Sequence, residues 1–343
     1  MKRRTFVLAA TAAALAAGTA ATAYAATRPR LTSGFDFDSP DVVAEGLALP
    51  WGMDFLPDGA ALFNQRDSKQ MSRVSPGTAP EVVGTVDDAQ PAGEGGLLGL
   101  AVSPSYKDDK YVYIYFTAAA DNRVARLKLD GFTPEVILDG IPKAEHHNGG
   151  RLRFGPDGRL YVTTGDALDR DNPQDPDSLG GKILRLNPDG SVPDDNPTKG
   201  SPVYTLGHRN VEGLDWTDGG DLYASELGEN TWDEVNHIVA GKNYGWPEVE
   251  GTGGEPDYVD PIVTWHTADA SPSGSAIVGD IMYVGALRGE RLWQVPYGGG
   301  DPVAALEGTY GRIRTVEVSP DGWLWIATSN ETEDKIVRFP NRP

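Results

Sequence analysis

The chain has no cysteine. No disulfide braces it, so its stability must come from a packed core or from bound metal. Long apolar runs with a 3.6-residue period are also missing after the first two dozen residues, which argues against any substantial helix. Positive charge is in deficit, because 30 Lys+Arg face 50 Asp+Glu and leave a formal net charge of −20. Such a surface repels phosphate backbones and argues against a nucleic-acid partner. The plain reading of that acidity is solubility, and a second one is an affinity for cations.

Glycine and proline are plentiful, at 42 and 26 residues. That suits a chain built of hairpins. One turn returns along the sequence: Leu56-Pro57-Asp58-Gly59, Gly155-Pro156-Asp157-Gly158, Trp216-Thr217-Asp218-Gly219-Gly220 and Ser319-Pro320-Asp321-Gly322. Each is followed by a short apolar strand, such as Leu160-Tyr161-Val162-Thr163 or Leu324-Trp325-Ile326-Ala327. Looser copies stand at Val102-Ser103-Pro104 and Gly279-Asp280. Six units, repeating at roughly 40 to 60 residues, predict an all-β fold, a six-bladed β-propeller of four-stranded antiparallel blades.

Residues 1–26 read as an export signal. Lys2-Arg3-Arg4-Thr5-Phe6-Val7-Leu8 is a twin-arginine n-region, an Ala-rich stretch follows, and Ala23-Tyr24-Ala25 has the small-x-small form of a cleavage site. The expectation is a secreted protein without stable membrane insertion, its single propeller domain spanning 27–343. That leaves roughly 315 residues, enough for one large closed β-domain.

The segment richest in chemistry is His146-His147-Asn148-Gly149-Gly150, followed by a strand, a Pro-Asp-Gly turn and a second strand ending in Gly165-Asp166. If the two strands pair, Asp166 returns to the sheet end that displays the histidines. A carboxylate beside an imidazole is the usual way to orient a proton acceptor.

Several motifs resemble, in order, those of the glucose/sorbosone dehydrogenase family, and specifically its aldose sugar dehydrogenase branch. They are Leu49-Pro50-Trp51-Gly52-Met53, Gly93-Glu94-Gly95-Gly96-Leu97-Leu98-Gly99-Leu100, the histidine segment and Gly180-Gly181-Lys182-Ile183-Leu184-Arg185. Gly207-His208-Arg209-Asn210, Gly241-Lys242-Asn243-Tyr244-Gly245-Trp246-Pro247, Gly285-Ala286-Leu287-Arg288-Gly289 and Gly311-Arg312-Ile313-Arg314 complete the series. The resemblance implies a six-bladed propeller that uses pyrroloquinoline quinone (PQQ) and Ca2+. It implies a sugar substrate whose anomeric hydroxyl is oxidised to a lactone, and an external electron acceptor.

By the same resemblance His147 matches the base that takes the hydroxyl proton as hydride passes to the quinone, and Asp166 its supporting carboxylate. Arg209 and Asn210 match the pair that reaches the quinone oxygens. Arg288, Arg312 and Arg314 match basic positions around the three cofactor carboxylates, which arginine grips bidentately. Gly228 and Glu229 fall where backbone carbonyls hold the cofactor's calcium, and Glu234 with the carbonyl of Tyr244 resembles a second, structural calcium site.

The chain also departs from the pattern. Leu227-Gly228-Glu229 replaces Gln-Gly-Pro, and Glu94, read as facing the cofactor, replaces glutamine. Glu212 replaces a neutral amide, and no aromatic wall is evident between Trp265 and Ser275. A carbohydrate- or partner-binding calcium propeller without redox chemistry, and a calcium-dependent lactonase, are the alternative readings.

Overall fold

A computed structural model describes residues 34–342. The export segment read at 1–26 lies outside the described residues. Within them, six antiparallel sheets of four strands each surround a common axis. The first strands of successive blades are Pro50–Phe55, Leu97–Val102, Leu152–Phe154, Val211–Trp216, Pro272–Val278 and Ile313–Val318. Each touches the first strand of the next blade, and the sixth touches the first, so these strands form the inner wall of a closed ring. The expected six-bladed propeller is the fold. A short helix, Tyr106–Asp109, interrupts the strands, and among the described residues no helix is long and apolar enough to cross a membrane.

The recurring turns mark one end of this ring. Each joins the first strand of a blade to its second, as 56–60 does between Pro50–Phe55 and Ala61–Gln65. In four of them a glycine amide donates to a carbonyl three residues back, with Gly59 to Leu56, Gly158 to Gly155, Gly220 to Thr217 and Gly322 to Ser319 all at 2.9 Å. Glycine is required because the turn ends at positive φ, +87° at Gly59 and +72° at Gly158.

Each blade is packed on both faces. Second strands such as Leu160–Thr163, Leu222–Glu226 and Leu324–Thr328 are buried throughout, whereas an outer strand such as Glu81–Thr85 has no buried residue. Six apolar clusters fill the six blade–blade seams. Tyr113 and Phe154, for example, meet edge to face across the second seam with ring centroids 5.0 Å apart.

The ring is closed by chain ends. Asp41–Leu47 pairs with Asp334–Phe339 and becomes the outer strand of the sixth blade, opposite the strand that faces the axis. Phe339 sits at this clasp, fully buried, with Phe37 against it at 5.3 Å. Phe339→Ala should therefore cost about 3–5 kcal/mol of unfolding free energy, the usual effect of emptying a buried aromatic site. Denaturant titration checks this, and an unchanged midpoint would show that the clasp does not support the ring.

Candidate active site

Antiparallel order dictates where function collects. With the Pro-Asp-Gly turns at one end, the loops entering each first strand and the turns between second and third strands share the other end. Glu94, His147, Arg209 and Arg312 lie on entry loops to the second, third, fourth and sixth blades. Asp166, Gly228, Glu229 and Arg288 lie between second and third strands. Residues more than 200 positions apart are thereby delivered to one face.

Close approach of chain to chain shapes the centre. His147 has φ +59°, a left-handed conformation that a side chain adopts at a cost, and Gly149 follows at +60°. A Cβ on Gly149 would stand 2.5 Å from the Cα of Thr164, and one on Gly165 would stand 2.0 Å from the carbonyl oxygen of His147. These glycines let the two loops touch, so that His147 Nδ1 lies 2.8 Å from Asp166 Oδ1. The pairing expected from the hairpin is present.

Chemistry fixes the tautomer. Arg209 Nη2 lies 2.9 Å from His147 Nε2, and a guanidinium has protons to give and no lone pair to accept one. Nε2 must therefore be the acceptor, and Nδ1 carries the proton donated to Asp166. The imidazole is held neutral with its lone pair on the outer nitrogen, the form able to accept a proton.

Asp166 is buried and collects two further donors. Leu168 N gives to Oδ1 at 2.9 Å, and Trp246 Nε1 gives to Oδ2 at 2.9 Å. Trp246 arrives from the long 239–262 segment, which runs beside the outer strand of the third blade through the Leu206–Asn243 bridge. The guanidinium of Arg209 lies over the same indole, 5.5 Å from the ring centroid. Glu94 reaches in from the second blade, its Oε2 accepting the His147 amide at 2.8 Å and its Oε1 lying 3.5 Å from His146.

Beneath Arg209 is a buried polar relay. Glu226 accepts the Arg209 amide through one oxygen and His208 Nδ1, at 2.8 Å, through the other. His208 Nε2 pairs with Thr205 at 2.9 Å, and the imidazole stacks on Tyr244 at 4.6 Å. Burial pulls the Arg209 guanidinium below its ordinary pKa, while Asp166, Glu229 and Glu226 push back.

The predicted basic set divides. Arg314 is buried and its Nη1 pairs with Glu212, so it helps to neutralise the axis rather than standing open on the face. Asn210 is likewise buried, its amide oxygen accepting Gly149 N at 2.9 Å and its nitrogen facing Glu212. The resemblance has both reaching a cofactor; here Arg314 Nη1 and the Asn210 amide are engaged within the protein, while Arg314 Nε is buried without a hydrogen-bond partner among the described residues. Arg312 and Arg288 differ: neither has a carboxylate partner among the described residues. Arg312 is partly buried beside Arg314, within the field of Glu94, and both burial and Arg314 lower its pKa.

The expected calcium residues cluster on the fourth blade. Glu250 Oε1 accepts backbone N–H groups from Glu229, Asn230, Thr231 and Trp232 at 2.7–3.3 Å. Asp233 Oδ1 takes the Gly228 amide at 2.9 Å. Glu234 is buried, its Oε1 accepting Gly251 N and its Oε2 Asn236 Nδ2. Desolvation, with nearby Glu226 second, pushes Glu234 up to about 8. The Tyr244 hydroxyl is occupied with His237 and Val239. The Glu229 side chain pairs with Arg170 at 2.8 Å on the rim.

Sequence reasoning missed Trp246, Glu226 and Glu250 as parts of this site. Trp246 lay inside a quoted motif without a role, and neither glutamate had any local signal. Glu226→Ala should cost about 1–3 kcal/mol for each donor it strands, the Arg209 amide and His208. Urea unfolding tests this; a loss below 1 kcal/mol would remove the relay from the architecture.

Residues 47–338 match the glucose/sorbosone dehydrogenase family. The quinoprotein glucose dehydrogenase B of Acinetobacter calcoaceticus is 36% identical over 249 residues, covering 60% of this chain and half of that protein. The aldose sugar dehydrogenase of Escherichia coli is 27% identical over 88% of this chain and 92% of its own. The PQQ-bound aldose sugar dehydrogenase of Streptomyces coelicolor superposes with a TM-score of 0.83 at 46% identity, covering 88% of this chain and 98% of the other.

Proposed function

The chain belongs to the glucose/sorbosone dehydrogenase family, and on that footing we propose that it is a PQQ-dependent aldose sugar dehydrogenase. It oxidises the anomeric hydroxyl of an aldose to the lactone and passes electrons to an external acceptor. One observation carries this reading: His147 is held between Asp166 and Arg209 with its outer nitrogen as acceptor, at the mouth of the ring.

The arginines fit an anionic cofactor. Arg288 and Arg312 lack carboxylate partners, and Arg209 Nε is buried without a hydrogen-bond partner among the described residues. Cations left uncompensated in a chain of net charge −20 suit a ligand that brings its own carboxylates. When bound, PQQ supplies the electrophilic carbonyl carbon that accepts hydride.

The protein's own part is proton and charge control. A sugar hydroxyl would take the place of Arg209 at His147 Nε2 and give its proton to that nitrogen. Asp166 offsets the imidazolium that results. Arg209, released from Nε2, is at hand for negative charge that develops on an oxygen. Neither the non-redox propeller nor the lactonase reading accounts for the arginine set.

Calcium belongs to the same proposal. Among the described residues no three carboxylate or imidazole groups are arranged to hold a metal, so a cation here would draw largely on backbone oxygens, which calcium accepts. Five amides of 228–232 are turned to Glu250 and Asp233, which leaves carbonyls of that turn, including those of Gly228 and Glu229, available to a cation. The Glu234 carboxyl with the carbonyl of Tyr244 is the second site proposed. Secretion by the twin-arginine route completes the reading, carried by Arg3-Arg4 and Ala23-Tyr24-Ala25.

Two experiments test it. His147→Ala should lower turnover with aldoses by about 10² to 10⁴ and leave PQQ affinity nearly unchanged, whereas Arg312→Ala should weaken PQQ in an absorbance titration. No PQQ binding at high micromolar concentration with Ca2+ present sinks the dehydrogenase reading.

The second experiment follows linkage. A carboxyl raised to about 8 in the fold keeps a proton that the unfolded chain has already lost. Its contribution to stability is full below the unfolded value and falls as pH rises through about 8. Calcium must expel that proton, so the rise in Tm given by Ca2+ should grow from pH 6 to pH 8, and Glu234→Gln should flatten it. A calcium effect independent of pH and of Glu234 removes the second site.

A further inference from the structure

Lys182 opens the third strand of the third blade and is fully buried. Its Nζ lies 2.6 Å from the carbonyl oxygen of Asn172, 3.1 Å from that of Pro173 and 2.8 Å from that of Gly180. Among the described residues it has no carboxylate partner within ion-pair distance. Three carbonyls of one loop thus converge on one cation. Their dipoles repel one another unless positive charge sits between them, and an ammonium offers three N–H donors for three acceptors. Proteins often fill such a cage with a metal ion; here a side chain fills it.

The caged loop, 166–181, is the one that carries Asp166. Asn172 Nδ2 donates to the Asp166 carbonyl at 2.9 Å, and Asn172 Oδ1 accepts from Ser178 at 2.8 Å. Gln174 donates to the Trp246 carbonyl at 2.6 Å and exchanges two hydrogen bonds with Asn243. Trp246 is in turn the donor to Asp166 Oδ2. The cage therefore braces Asp166 twice, through its backbone by Asn172 and through its side chain by the Gln174–Trp246 link.

We propose that Lys182 is a positioning residue of the active site, an internal counter-ion that organises the 166–181 loop and so fixes Asp166 against His147. A lysine that merely supported the fold would stabilise the chain without governing the His147–Asp166 hydrogen bond. The kinetic consequence rests on the dehydrogenase reading; the effect on the hydrogen bond does not.

The test uses the full chain without cofactor. The Nδ1–H of His147 should give a low-field proton resonance in 15N-histidine-labelled protein, assigned as the signal that His147→Gln removes. Lys182→Met deletes the charge at similar length. Asn172→Ala cuts the brace yet keeps the backbone carbonyl in the cage. Both variants should weaken or erase the resonance or speed its exchange with water by tenfold or more. Asn172→Ala should do so with little change in Tm, and the double variant should be no worse than Lys182→Met alone. In the holoenzyme each should lower kcat by about 10- to 100-fold with KM little changed, the usual result of a small misplacement of a catalytic pair. If folded Asn172→Ala and Lys182→Met both keep the resonance with its original exchange rate, the proposal is overturned. Should Lys182→Met fail to fold, a resonance unaltered in Asn172→Ala overturns it alone.

Discussion

The carboxylate of Asp166 is the junction on which the site depends. It accepts from His147 Nδ1, Leu168 N and Trp246 Nε1. Those donors come from the loop entering the third blade, from the loop that follows Asp166, and from the long segment of the fourth blade. A buried carboxylate is tolerated when its lone pairs are filled, and filling them ties three segments together. The same contact that fixes the His147 ring therefore also joins two blades at this face. Chemistry and local folding share one group, which explains why so many braces converge on it.

The axis repeats this logic at larger scale. Arg153 sits 3.0 Å from Asp215 and 2.7 Å from Glu317, while Arg151 gives Nε to the Glu212 carbonyl at 2.7 Å and lies over the Trp51 ring. Inner strands from the third, fourth and sixth blades are thus cross-linked by charge rather than by oil. Burial pushes Glu317 upward, and Arg153 draws it back. Pairs of this kind add little net stability compared with apolar packing, but breaking one strands a charge. They make the ring intolerant of slippage between blades, while the six apolar seams supply most of the stabilisation. A rigid ring is what lets residues from five different loops hold distances near 3 Å.

The fold was legible because its signal is local and repeated. Pro-Asp-Gly followed by an apolar strand needs a window of only a few residues, and each copy fell between first and second strands. The pairing of His147 with Asp166 was readable for the same reason, since one hairpin spans both. Resemblance then pointed to Arg209 and Arg312. What could not be read were partners chosen between segments distant in sequence: Glu226 under Arg209 and Glu250 gathering four amides within the fourth blade, and Trp246 reaching Asp166 from the fourth blade to the third. Nothing near Glu226 or Glu250 in the chain distinguishes them from ordinary positions, and the motif that holds Trp246 does not say which carboxylate its indole meets. Arg314 and Asn210 show the converse. Their motifs match, yet Glu212, also distant in sequence from Arg314, draws the guanidinium inward.

That inward turn bears on the departures from the family pattern. An acid at 212 in place of a neutral amide would be costly beside an anionic ligand if it stood alone. Here Arg314 neutralises it directly, and Asn210 Nδ2 and Ser273 Oγ donate to it as well. The substitution and its compensation are buried together, so the open face keeps its positive character in Arg209, Arg288 and Arg312. Glu94 is compensated differently: its carboxylate accepts the His147 amide and lies beside His146, while its field still reaches Arg312. Glu229 pairs outward with Arg170, whose guanidinium also covers the Trp246 indole at 4.5 Å. Each added acid has met a cation or a donor before it could oppose a carboxylate ligand. The three exchanges therefore change how the rim is wired and leave the positive charge where an anionic cofactor would need it.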